Sequence, residues 1–436
     1  MRDSLGLDIT GATPAALEHY ERALHELQCF IGDPVGSVDK AIAASPGFVM
    51  AHVLKGYLYG LATEREASAV AAAAHGAALP LGGTAREKAH VAALGRLAQG
   101  RWHQASTLLE DITIEHPHDG LALQTGHQID FFTGDARMLR DRVARALPSW
   151  SGAMPGYHAM LGMHAFGLEE MGDYSRAERV GRSAVEIEPR DGWAQHAVAH
   201  VMEMQSRQQD GIAWMRANPD AWTKESFLQV HNWWHLALFH FDLGQVDEVL
   251  KLYDGPIYGT PSTVALNMVD ASAILWRLYL GGVDVGDRWT AIAANWAPMA
   301  GAGNYAFNDA HAMMAFVGAG LAGPAATLIE TQRAAMQADD DNAAFTRDVG
   351  HPVTLAIQAF GDGNYRETVR LLRPIRAIAH RFGGSHAQRD VLDLTLIEAA
   401  LRAGDTALSR ALAAERFDTR PTSPLSLLFV NRAGVA

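Results

Sequence analysis

Four histidines carry most of the chemistry this sequence offers. In WAQHAVAHVMEMQ, residues 193–205, His196 and His200 stand four apart, and in QVHNWWHLALFHFDLG, residues 229–244, His231 and His235 repeat the spacing. On a helix such a pair lies about 40° apart around the axis, so both imidazoles reach toward one point. His-x-x-x-His is the spacing with which a helix presents two ligands to one ion. Glu203 falls on the same side as His200 and reads as a third ligand, a carboxylate that orients an imidazole, or a general base. Ala197 occupies the position where a zincin helix carries its catalytic Glu, so a metalloprotease reading fails. His240, nine residues beyond His231, lies about half a turn away and faces elsewhere.

The packing alternative stands beside this reading. A single histidine on an amphipathic helix is more often a packing residue than a ligand. Trp233 and Trp234 read as packing between helices, because aromatics bury the largest apolar area. The candidate catalytic set is therefore His196, His200, Glu203, His231 and His235, with the four histidines as metal ligands. Substrate contacts are expected from His127, His158, Asn232, Asp309, His311 and Arg389. His158 and His164 are six apart, so at most one faces a shared surface. In NYAFNDAHAMMAF, Asn304, Asn308 and His311 share a side while Asp309 turns from it. Arg389 reads either as an ion pair with Asp390 or as a clamp on an anionic substrate group. Asp270, inside the apolar run NMVDASAILWRL, needs a partner, and a histidine of a neighbouring unit would serve.

The elements that must position these side chains are helices. Alternating strand patterns are nearly absent, and amphipathic segments are separated by short Gly-Asp or Gly-x breaks. The clearest unit runs from Tyr157 to Pro189: a first helix ends near Met171, Gly172-Asp173 turns the chain, and Tyr174 and Ala177 open a second helix. Further turns fall at Gly100-Arg101, Gly134-Asp135, Gly244-Gln245, Gly361-Asp362-Gly363 and Gly404-Asp405. Leu161, Gly167, Tyr174, Ala177 and Pro189 resemble the marker residues of a tetratricopeptide repeat, with imperfect spacing. Roughly ten helix pairs are expected, forming an all-α superhelix that curls around a central groove. It is read as one domain, residues 1–436, with irregular loops near 255–262, 297–306 and 340–352. His127, His158, His164, His196, His200, His231, His235 and His311 all fall in first helices, which line the concave side of such arrays.

Composition narrows the partners. The 436 residues are 48% apolar, carry a net charge of −13 and contain one cysteine, Cys29. The acidic balance, without a Lys/Arg cluster, argues against nucleic acid and anionic membranes. A lone cysteine excludes a disulfide framework and a thiolate metal cluster. The first residues lack the apolar core of a signal peptide, and no apolar run is long enough to span a bilayer, so a cytoplasmic location is expected. Gly-rich phosphate loops, a dinucleotide fingerprint and a nucleophile elbow are missing, which removes nucleotide and flavin cofactors. A divalent metal (Zn, Fe or Mn) is the cofactor that clustered imidazoles would take. A small-molecule substrate or ligand is the expected partner, and a homo-oligomer stays open.

WAQHAVAHVMEMQ, HNWWHLALFHFDLG, NDAHAMMAF and GGSHAQRDV together resemble the tetratricopeptide repeat protein 38 family, along most of the chain from PGFVMAHVLKGYL at 46–58 onward. The resemblance implies a helical repeat fold and brings no reaction or site with it. Two functions follow from the residues. One is an enzyme acting on a small molecule in a His-rich pocket, by metal-assisted hydrolysis or by acid/base chemistry. The alternative is a non-catalytic scaffold for a peptide or protein partner.

Overall fold

The computed structural model describes residues 1–435, and among them no strand forms beyond two isolated bridges, Arg2 with Asp8 and Ile31 with Ser226. The all-α expectation holds, and helices pack as sequential pairs. Residues 1–198 with 218–229 make one compact unit, and residues 199–217 with 230–436 make a second. No helix among the described residues is long and apolar enough to cross a membrane.

The first unit stacks Pro14–Cys29 on Pro34–Ala44, Val49–Gly60 on Arg65–Ala78 and Ala85–Ala98 on Trp102–Glu115. Gly120–Phe132 on Ala136–Ala146 and Tyr157–Glu170 on Tyr174–Ile187 continue the order. The second unit pairs His351–Gly361 with Tyr365–Leu372 and His386–Arg402 with Thr406–Thr419. Within it, Ala306–Gly318 packs on both Ala265–Leu280 and His351–Gly361.

The Gly-Asp turns work by a division of labour. Gly172 adopts φ of 79°, a left-handed conformation that ends the first helix without a Cβ clash. Asp173 then donates its backbone N–H to the Leu168 carbonyl at 2.9 Å, while its carboxylate caps the next helix at the Arg176 N–H. Asp135 and Asp405 cap in the same way, at Met138 and Leu408. At the 361–363 turn it is Gly363, with φ of 73°, that reverses the chain, and Asn364 caps.

One expected loop is helical instead. Asp340 caps a short helix, Asp341–Phe345, which runs through a π-turn, Thr346–Gly350, into His351–Gly361. Pro352 stands where the π-turn passes into the helix His351–Gly361, just after the His351 N–H bonds to the Thr346 carbonyl.

Candidate functional site

The site takes shape in the second unit from residues on three helices. Gly192–Met204 supplies His200 and Glu203, Gln229–Asp242 supplies His231 and His235, and Ala265–Leu280 supplies Asp270. Ring nitrogens of His200, His231 and His235 lie within 4.8 Å of one another. The His200 and His235 ring centres are 4.4 Å apart, and those of His231 and His235 are 4.9 Å apart and nearly perpendicular.

Two carboxylates fix the orientation of these rings. Nδ1 of His231 lies 2.9 and 3.0 Å from the Asp270 oxygens, and Nδ1 of His235 lies 3.1 Å from Oε2 of Glu203. A carboxylate on Nδ1 aims Nε2 into the cluster, as in metal centres where an acid orients a histidine ligand. Asp270 thus has a histidine partner, and Glu203 makes the Nδ1 contact by which a carboxylate orients an imidazole.

Electrostatics keeps His200 and His235 neutral. His200 and His235 are fully buried. Burial, followed by the neighbouring histidines, pushes both well below the usual imidazole range. Burial pushes Glu203 up to about 7, against the pull of Arg420 and Arg277. Neutral imidazole is the form that binds a metal ion, so His200, His231 and His235 are the residues of this unit that could hold one.

The surroundings are closely packed. Trp234 stacks on His231 at 5.3 Å, and the buried Arg277 guanidinium stands 5.3 Å from the Trp234 ring. Burial lowers Arg277 to about 10, and its N–H groups donate to the carbonyls of Ala273 and Ala387. A cavity beside Glu203, bordered by Arg277, Asp390, Arg416 and Arg420, has a volume of about 20 Å³. That is room for about one water.

The remaining candidates occupy several places. His196, one turn before His200, belongs to the first unit, where its ring packs on Trp193 at 4.8 Å and Phe166 at 5.3 Å. His127 is fully buried edge-on to the same two side chains, and burial pushes it down to about 3. Asn232 is buried on the helix of His231. His311 lies 2.8 Å from the Phe307 carbonyl through Nδ1, and burial lowers it to about 4. Asp309 accepts from Gln332, and burial raises it to about 7. His240 turns away as expected, toward Arg216 and Gln245. Arg389 donates to the Gly384 carbonyl, whereas Asp390 is gripped by Arg416 at 2.6 and 3.1 Å.

His158 joins two helix pairs, a role its spacing in the sequence does not announce. Its Nδ1 lies 2.8 Å from Asp191, whose other oxygen caps the following helix at the Ala194 N–H. His90 and Asp119 repeat the arrangement at 2.9 Å, with Asp119 capping at Ala122. Each of these histidines joins one helix pair to the next through a buried N-cap aspartate. The signal was present: Pro117-His118-Asp119-Gly120 and Pro189-Arg190-Asp191-Gly192 share Pro-x-Asp-Gly.

Successive helix pairs with Gly-Asp turns define a tetratricopeptide-like helical-repeat protein. No family model matches the chain. Among solved structures, the crystal structure of yeast Tom70 is similar over 96% of this chain and 95% of that one, at 11% identity and a TM-score of 0.28.

Proposed function

We propose that this chain is a helical-repeat scaffold that binds a protein or peptide partner, its His200–His231–His235 cluster serving the interior rather than turning over a substrate. Burial carries this reading: His200 and His235 are 0% exposed, and the neighbouring cavity admits about one water. A substrate needs a route and a volume, whereas a partner needs only the outer helix faces. The charge of −13 suits a basic partner segment. The test is crosslinking in the native cell, then reconstitution of each captured partner from purified components. A stoichiometric, salt-sensitive complex that survives His235→Ala is expected. Turnover of a small molecule that disappears in His235→Ala would overturn the reading.

A second reading has its own support in the two carboxylate–imidazole pairs, Asp270 with His231 and Glu203 with His235. In it a Zn, Fe or Mn ion on the imidazoles activates water for hydrolysis of a small molecule. Elemental analysis of untagged protein decides: less than stoichiometric metal, in a chain whose sole thiol is replaced, would remove it. The four quoted histidine segments support placing the chain in the tetratricopeptide repeat protein 38 family, and we place it in the cytoplasm.

A further inference from the structure

A second cluster of metal-ligand atoms lies in the first unit, around the only cysteine of the chain. His25 and Cys29 stand one turn apart on the helix Pro14–Cys29, and Tyr157–Glu170 brings His158 to them. The ligand atoms of His25, Cys29 and His158 lie within 4.8 Å of one another. Cys29 Sγ is 3.9 Å from either ring nitrogen of His25 and 4.0 Å from Nε2 of His158. We propose that these three residues bind a thiophilic divalent cation, zinc being the ion whose ligand preferences fit best.

The geometry is close to what such an ion needs. Thiolate sulfur at roughly 2.3 Å and imidazole nitrogen at roughly 2.0–2.1 Å from a tetrahedral ion stand about 3.6 Å apart. Closing each sulfur–nitrogen separation takes about 0.3–0.4 Å in all, within the reach of side-chain rotation. Asp191 completes the design, because its carboxylate takes Nδ1 of His158 and leaves Nε2 turned to the sulfur. His90 differs from His158 in what its second ring nitrogen meets. There the second ring nitrogen meets the Tyr57 hydroxyl at 3.1 Å, an ordinary hydrogen bond, whereas His158 presents its second nitrogen to a thiol.

A catalytic thiol is the competing reading of Cys29, His158 and Asp191. It fails on access. Cys29 is fully buried, out of reach of a substrate molecule. A cation is small enough to enter past the half-buried His25, and as its bond to sulfur forms the thiol proton is released to water. Arg190 lies 3.4 Å from Nε2 of His25, but its charge is matched by Glu188 at 3.0 Å, and Nδ1 of His25 stays available to the ion. Three protein ligands leave the fourth position to water.

The single cysteine makes the test selective. The full-length chain, stripped with chelator, is titrated with Co²⁺ while the sulfur-to-cobalt charge-transfer band in the near ultraviolet is followed. The expected result is a band that saturates at one equivalent and is displaced by Zn²⁺. It disappears in Cys29→Ser and persists in His235→Gln, which leaves this cluster intact. Asp191→Asn keeps the helix cap and is expected to weaken Co²⁺ at least tenfold. Should Cys29→Ser lose helicity, His25→Asn replaces it, with the same weakening expected. Absence of the band in the wild-type chain overturns the proposal, as does unchanged affinity in both Asp191→Asn and His25→Asn.

Discussion

The Nδ1 of His235 sits 3.1 Å from a carboxylate oxygen of Glu203, a contact made across 32 residues of sequence between neighbouring helices. It ties the orientation of a fully buried imidazole to one acid. Glu203→Ala removes the acceptor and leaves the ring polar and enclosed, so a loss of about 1–3 kcal/mol is expected. Glu203→Gln keeps an acceptor and should retain most of the stability. Urea unfolding of both variants checks the order, and equal losses would show that the contact does not orient the ring.

Asp191 has two duties, capping the helix Gly192–Met204 and holding His158. Asp191→Ala should cost about 2–3 kcal/mol, the sum of a lost cap and a buried imidazole without its acceptor. Asp119→Ala should behave alike and cost more, because Asp119 also neutralises the buried Arg86 at 2.5 Å. Thermal melts of the two single variants give the comparison.

Asp309 gives a pH-dependent prediction. Burial raises its folded value to about 7, so the stability it contributes is full at acid pH and is lost as pH rises through 7. Asp309→Asn removes the ionisation. Relative to wild type it should gain up to about 3 kcal/mol on moving from pH 5 to pH 8. Denaturant titrations at the two pH values test this, and a gain at pH 5 equal to that at pH 8 would contradict it.

Two glycines should respond in opposite directions. A Cβ on Gly167 would meet the Leu139 carbonyl and the Arg140 nitrogen at 2.5 Å, backbone atoms that cannot rotate away. Gly167→Ala is expected to destabilise by on the order of 2 kcal/mol. Gly76 is exposed in the helix Arg65–Ala78 with open space around it, so Gly76→Ala should add about 0.5–1 kcal/mol. Calorimetric midpoints of the two variants decide.

The parts of the molecule legible in the sequence are those governed by local physics. A glycine that must take positive φ and an aspartate that caps the following helix mark a turn wherever they occur together, as at Gly172-Asp173. His-x-x-x-His is equally local, and His231 and His235 do meet, with Asp270 held on Nδ1 of His231. The partners of the other nitrogens depended on how helices lie across one another. Nothing near Cys29 announces His158, which is 129 residues away. The stretch 340–352, expected as a loop, is helical because Asp340 caps a helix there, and an aspartate suits a helix start as well as a loop.

The joints between helix pairs bear on how such a chain can change. Repeat arrays commonly gain or lose units by recombination, because adjoining surfaces are interchangeable. Here His90 requires Asp119 and His158 requires Asp191, so the imidazole and its acid reside in different units. Excising or duplicating one unit strands a buried base or a buried acid unless the newcomer brings the matching half. Each pairing thereby makes the removal of a unit costly, because a buried polar group is left without its partner.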